Sequence, residues 1–197
     1  MLDKSLGKLI RMNLQDFWLD EAKNFTPWLA RNENLELLSS TLGMELEKEG
    51  VEVPVGPYRA DIVARALSSD TKAIIENQLG KTDHDHLGKA ITYASGLDAQ
   101  IMIWIAKEFS EEHRRALDFL NENAAPDLRC FGVEIQLWRV DDSRPAPACV
   151  RHMYWTNVHR PRCSKESTAF WSRIRFGLMF LTIAAGNRVS DSRLRCG

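Results

Sequence analysis

Residues 51–79 read VEVPVGPYRADIVARALSSDTKAIIENQL. Val51, Val53 and Val55 alternate with polar residues or proline, Gly56 and Pro57 are turn formers, and residues 58–66 resume an extended apolar pattern. The expected structure is a β-hairpin. Residues 67–71 are rich in Ser and Asp and make a second turn before a buried strand from Lys72 to Leu79 that contains Ala73, Ile74 and Ile75. Three antiparallel strands result. Asp61 lies in the second of them and Glu76 and Gln78 in the third, where polar side chains do not belong by default. Residues i and i+2 of a strand share a face, so Glu76 and Gln78 stand side by side while Asn77 faces the other way. Burying an unpaired carboxylate costs several kcal/mol, and a divalent cation is the simplest compensation. The plainer alternatives are an Asp61 bonded to hairpin backbone and a Glu76 paired with an arginine such as Arg59.

Asp61, a turn and Glu76-x-Gln78 resemble the PD-(D/E)XK nuclease superfamily, in which an Asp from one strand and an acid-x-Lys from the next hold Mg²⁺. Residues from about 25 to 138 are similar to a prokaryotic group of that superfamily with an E-x-Q variant, carrying FTPWLA, YRADIVA, IIENQL, TDHDHLGK and FGVEIQLW in this order. The resemblance implies an α/β fold with a restriction-endonuclease-like αβββαβ core, a mixed sheet flanked by helices. It also implies Mg²⁺ (or Mn²⁺) held by Asp61 and Glu76, and endonuclease hydrolysis of nucleic-acid phosphodiesters, with DNA as substrate. Ala60 stands where the superfamily's proline is usual. Gln78 stands where its lysine is usual, and an amide can orient a water but supplies no positive charge. Two functions therefore remain open: a metal-dependent nuclease in which Gln78 positions the water, and a catalytically weak or inactive nuclease-fold module that binds nucleic acid or regulates.

The rest of the chain supplies the frame. Residues 1–24 suggest a short strand or turn followed by a helical piece. Thr26-Pro27 reads as an N-cap with proline at the first helical position. Asn34 is expected to cap a longer helix whose stripe is Leu35, Leu38, Leu42 and Leu46. The acids on or just after it, Glu36, Glu45 and Glu47, read as solvated surface, although the equivalent helix of the superfamily sometimes adds an acid to the metal site. Thr82 with Asp85 resembles a capping box that opens a helix to Gly96, with Leu87, Ala90, Ile91 and Ala94 inward. His86, Lys89 and Tyr93 form its second stripe. Lys89-x-x-x-Tyr93 resembles the Gln-x-x-x-Tyr element of helicase-associated members, where that helix borders the active site. Lys89 is thus the candidate catalytic cation in place of the missing lysine, and His84, His86 and Tyr93 are candidate substrate-binding residues. His84 and His86 point about 200° apart on a helix, which argues against zinc. Residues 101–106 (IMIWIA) read as a central strand, Ser110 caps a further helix with Ala116, Leu117 and Leu120 inward, and residues 131–140 give a last strand.

The 197 residues are 44% hydrophobic and 27% charged, the make-up of one soluble domain. That domain is expected over residues 1–147, with its core at about 25–140. Residues 148–197 carry nine basic side chains against two acids in a chain of net charge −1, without periodicity. This irregular tail reads either as a basic nucleic-acid-binding extension or as a degenerate, out-of-frame end, and removing it after Ala148 should cost little stability. Four cysteines without C-x-x-C spacing, no signal peptide and no apolar run near the roughly 20 residues of a membrane span point to a cytoplasmic protein with no membrane partner. The expected partner is nucleic acid, with a homodimer as the assembly to consider.

Overall fold

A computed structural model describes residues 6–152. Strand β1 (Leu9–Met12) leads through a 3-10 turn (Leu14–Asp16) and a π-helical turn (Glu21–Phe25) into two helices, α1 (Thr26–Leu29) and α2 (Asn32–Leu42). Strands β2 (Leu46–Val55), β3 (Tyr58–Ala66) and β4 (Thr71–Asn77) follow as the expected antiparallel meander. Next come α3 (His84–Gly96), β5 (Ile101–Ala106), α4 (Glu111–Asn123), β6 (Arg129–Val140) and β7 (Ala146–His152). The α/β fold and the order αβββαβ from α2 to β5 are as expected.

The seven strands form one mixed sheet in the order β1-β6-β5-β4-β3-β2, with β7 also on β6. The crossovers through α3 and α4 make β4, β5 and β6 parallel, and the other pairings are antiparallel. β6 is long enough to pair with three strands. Glu134 and its neighbours bond to β5 and β7 on opposite edges, and Leu137 and Trp138 bond to β7 and β1 in the same way.

Both faces of the sheet are covered, which is why all six residues of β5 are buried. On one face Ile62, Ile75, Ile103, Ile105 and Val133 pack with Leu35, Leu38 and Leu42 of α2 and with Phe25 and Leu29. On the other Val63, Ile74, Met102 and Trp104 pack with Ala90, Tyr93 and Ala94 of α3 and with Leu117 of α4. Gly132 is needed for this second layer, because a Cβ there would sit 3.0 Å from the Phe109 ring and 3.1 Å from Leu117 Cδ1.

Several local expectations are corrected. α2 ends at Leu42, because Gly43 takes the left-handed conformation (φ 71°) that closes a helix, so Leu46 belongs to β2 and not to the helical stripe. Asn34 lies inside α2, where its side chain donates to the Trp28 carbonyl at 2.7 Å. Thr26 is a buried residue within α1, its hydroxyl against the Glu21 carbonyl and Asn77 Oδ1. The N-cap of α3 is Asp83, not Thr82, which bonds toward α4 instead. On α3 itself Tyr93 is inward and Ile91 is 42% exposed, the reverse of the expected assignment. The boundary at 147 falls inside β7, whose residues 148–152 pair with β6. The remainder of the expected tail lies outside the described residues.

Candidate active site

Asp61 and Glu76 approach each other because the meander requires it. The register of β3 on β4 ends at Ile62 opposite Ile75, and its next step sets Asp61 opposite Glu76. Partners across an antiparallel pair share a face. Burial, then the charge of Asp61, pushes Glu76 up to about 8. Asp61 rises to about 6, chiefly by burial, despite two donors that favour its charged form. Those donors are the backbone N–H of Asn77 at 2.9 Å and the Asn77 side-chain amide, both on Asp61 Oδ2. Asn77 is itself fully buried and held by Thr26 at 3.1 Å, so α1 fixes the orientation of Asp61 through it. Glu76 is 3% exposed, and its Oε2 has no hydrogen-bond partner among the described residues. The suggested Glu76–Arg59 pair does not form. Arg59 donates to the Glu52 carbonyl at 2.8 Å.

A third carboxylate enters from the N-terminal segment, for which the sequence pattern indicates no role. Glu21 Oε2 accepts the Leu79 N–H at 2.7 Å, and its Oε1 lies 3.7 Å from His86 Nε2. Its charge raises both Asp61 and Glu76. The only available signal was an acid just ahead of the FTPWLA motif.

β4 ends at Asn77, short of the Leu79 expected from sequence, so Gln78 lies just beyond the strand, and both ends of its amide are engaged. Its Oε1 accepts from Trp104 Nε1 at 2.8 Å, and its Nε2 donates to the Lys81 carbonyl at 2.8 Å and to Asp83 Oδ2 at 3.2 Å. From α3, His86 and Lys89 both lower the Glu76 carboxyl by their charge, so both reach the site electrostatically. Lys89 Nζ is 2.8 Å from Asp85 Oδ2 on its own helix. Tyr93 is 4% exposed, and burial and the Glu76 charge raise its phenol. His84 is drawn elsewhere: its Nδ1 meets Nε2 of the buried His113 at 3.0 Å, and His113 Nδ1 meets Thr82 Oγ1 at 2.9 Å. The two histidines of the His-x-His pair thus serve different neighbours.

Among the described residues no three His, Cys, Asp or Glu side chains are grouped to hold a metal ion. The two-carboxylate set nevertheless fits Mg²⁺, which keeps several waters and binds proteins through one or two carboxylates. The fit rests on Glu76, since a buried carboxyl oxygen without a partner beside a second carboxylate is what a hard cation compensates.

No family model and no curated protein matches the chain. Among solved structures it is similar to a repair endonuclease from Pyrococcus abyssi, at 15% identity and a TM-score of 0.46, covering 58% of this chain and 47% of that one. It is also similar to EndoMS in a complex with double-stranded DNA, at 15% identity and a TM-score of 0.41, covering 56% of this chain and 43% of that one. The chain thus spans less than half the length of either structure. The reading of the site rests on its own geometry.

Proposed function

We propose that the chain is a Mg²⁺- or Mn²⁺-dependent nuclease that hydrolyses phosphodiester bonds of nucleic acid, DNA in the first instance. The observation that carries this reading is the buried Glu76 Oε2, which lies beside Asp61 and has no hydrogen-bond partner among the described residues. Asp61 and Glu76 would hold the ion. When bound, it supplies Lewis acidity that polarises the phosphoryl group and acidifies an attacking water. Asn77 keeps Asp61 aimed, and Glu21 adds negative charge that strengthens the pull of the pair on any positive charge, proton or cation. On the substrate side stand His86 and Lys89 of α3, whose charges act on Glu76, whereas His84 is engaged by His113 and Tyr93 packs inward. Cys130 and Cys149 are free thiols, which suits a reducing, cytoplasmic setting.

The competing reading, a nucleic-acid-binding module with little or no catalysis, is favoured by one feature: Gln78 stands where the superfamily carries a lysine. Incubation of the purified full chain with plasmid and single-stranded DNA separates the two. Cleavage that needs Mg²⁺ or Mn²⁺ and is lost in Glu76→Gln and Asp61→Asn is the expected result, and binding without cleavage under both metals selects the module. Sedimentation of the same sample tests for a dimer.

A further inference from the structure

Gln78 brings no charge to the site, yet its side chain is tied into a continuous path. Trp104 Nε1 donates to Gln78, Gln78 donates to Asp83, Asp83 accepts from His86, and His86 faces Glu21, which closes on the Leu79 backbone. His86 is the cation in this path. Its Nδ1 lies 2.9 and 3.0 Å from the two Asp83 oxygens, its backbone N–H donates to Asp83 at 2.8 Å, and its Nε2 faces Glu21 at 3.7 Å. A carboxylate can only accept, so a ring with a carboxylate on each nitrogen is best satisfied carrying both protons.

We propose that His86, clamped between Glu21 and Asp83, supplies the positive charge that a lysine at 78 would bring, and receives a phosphate oxygen of the nucleic acid on Nε2–H. Gln78 is then a positioning residue that anchors Asp83 behind the imidazole. The proposal rests on the nuclease reading. Three observations separate His86 from Lys89. The His86 side chain is 17% exposed against 39% for Lys89. The Lys89 ammonium is already matched by Asp85 at 2.8 Å, whereas 3.7 Å to Glu21 leaves Nε2–H held by charge and open to a closer oxygen. His86 is also tied through Asp83 to Gln78, one residue beyond β4, and Lys89 has no such tie among the described residues. The charges facing His86 are Glu21 from the N-terminal turn, Asp83 from the helix start, Lys89 from the next turn and Glu76 from β4. Glu21 and then Asp83 raise the imidazole to about 9 against the burial and the Lys89 charge that oppose them.

Imidazole NMR of the full chain tests this. His86 should carry both protons at about pH 8, and Glu21→Gln, Asp83→Asn and Gln78→Ala should each lower its proton affinity at least about tenfold. With Mg²⁺ and a short DNA duplex the His86 Nε2 resonance should move, and His86→Gln should slow cleavage at least about tenfold while Lys81→Ala does not. A His86 that titrates near its ordinary 6.5 overturns the proposal, and so does duplex binding that leaves its resonances unmoved. Duplex that does not bind at all removes the nuclease reading along with the role of His86, whereas binding with a silent His86 removes only the latter.

Discussion

Glu76 retains its proton to about 8 in the fold, against an ordinary 4.5, and Asp61 to about 6 against 3.8. The folded state therefore binds these protons more tightly than the unfolded chain. The stability tied to Glu76 is fully present below about 4.5 and is lost as pH rises through about 8. Glutamine imitates the protonated acid and cannot ionise. In chelator, wild type and Glu76→Gln should melt within a few degrees of each other at about pH 4.5. At about pH 8 the variant should melt higher, by on the order of 5–10 °C for a few kcal/mol. If Mn²⁺ binds the ionised pair as proposed, it should raise the wild-type midpoint more at about pH 8 than at about pH 6, and should do little for the variant. Melting curves in which Glu76→Gln falls below wild type at alkaline pH would show that the carboxyl is compensated from within the protein.

The elements that sequence made legible are those with a strict period and flanking turns. β3, β4 and β5 are apolar on defined faces and bounded by turn residues, so their order and the meeting of Asp61 with Glu76 could be read from the chain. Elements set by long-range contacts could not. Thr82 reads as a cap until His113 and Ser110, 31 and 28 residues on, claim its hydroxyl and leave Asp83 as the cap. Glu21 lies 58 residues from the Leu79 N–H that fixes it, with no periodic pattern to announce it. β7 was missed because its residues lack alternation; its place comes from β6, from the Thr41 hydroxyl on the Cys149 carbonyl at 3.5 Å and from Arg151 on the Leu42 carbonyl at 3.2 Å. Removal of the chain after Ala148 would cut β7, which the sequence expectation did not include. Compared with a chain ending at His152, a chain ending at Ala148 should lose about 2 kcal/mol and roughly 5 °C of melting midpoint. Equal midpoints would make those four residues of β7 dispensable.

At the scale of the whole molecule the distribution of charge matters more than its sum. The net charge is −1, but Glu21, Asp61, Glu76, Asp83 and Asp85 gather around the proposed site, and a phosphate backbone is repelled by that cluster until a divalent cation or His86 and Lys89 offset it. Basic residues lie in excess beyond the described fold: Arg160, Arg162, Lys165, Arg173, Arg175, Arg188, Arg193 and Arg195 stand against Glu166 and Asp191. Each lysine or arginine that neutralises a phosphate releases a counterion and steepens the dependence of log affinity on log salt by about 0.9 for duplex DNA. If residues 153–197 contribute to binding, the full chain should bind a duplex with a slope steeper by at least about 2 than a chain ending at His152. The two should converge in affinity at high salt, where the Debye length falls to about 3 Å at 1 M. Fluorescence anisotropy across a salt series, with Ca²⁺ in place of Mg²⁺ to keep an oxygen-seeking cation on the site, measures both slopes. Equal slopes at equal affinity would confine nucleic-acid contact to residues 1–152 and leave the basic segment without a part in it.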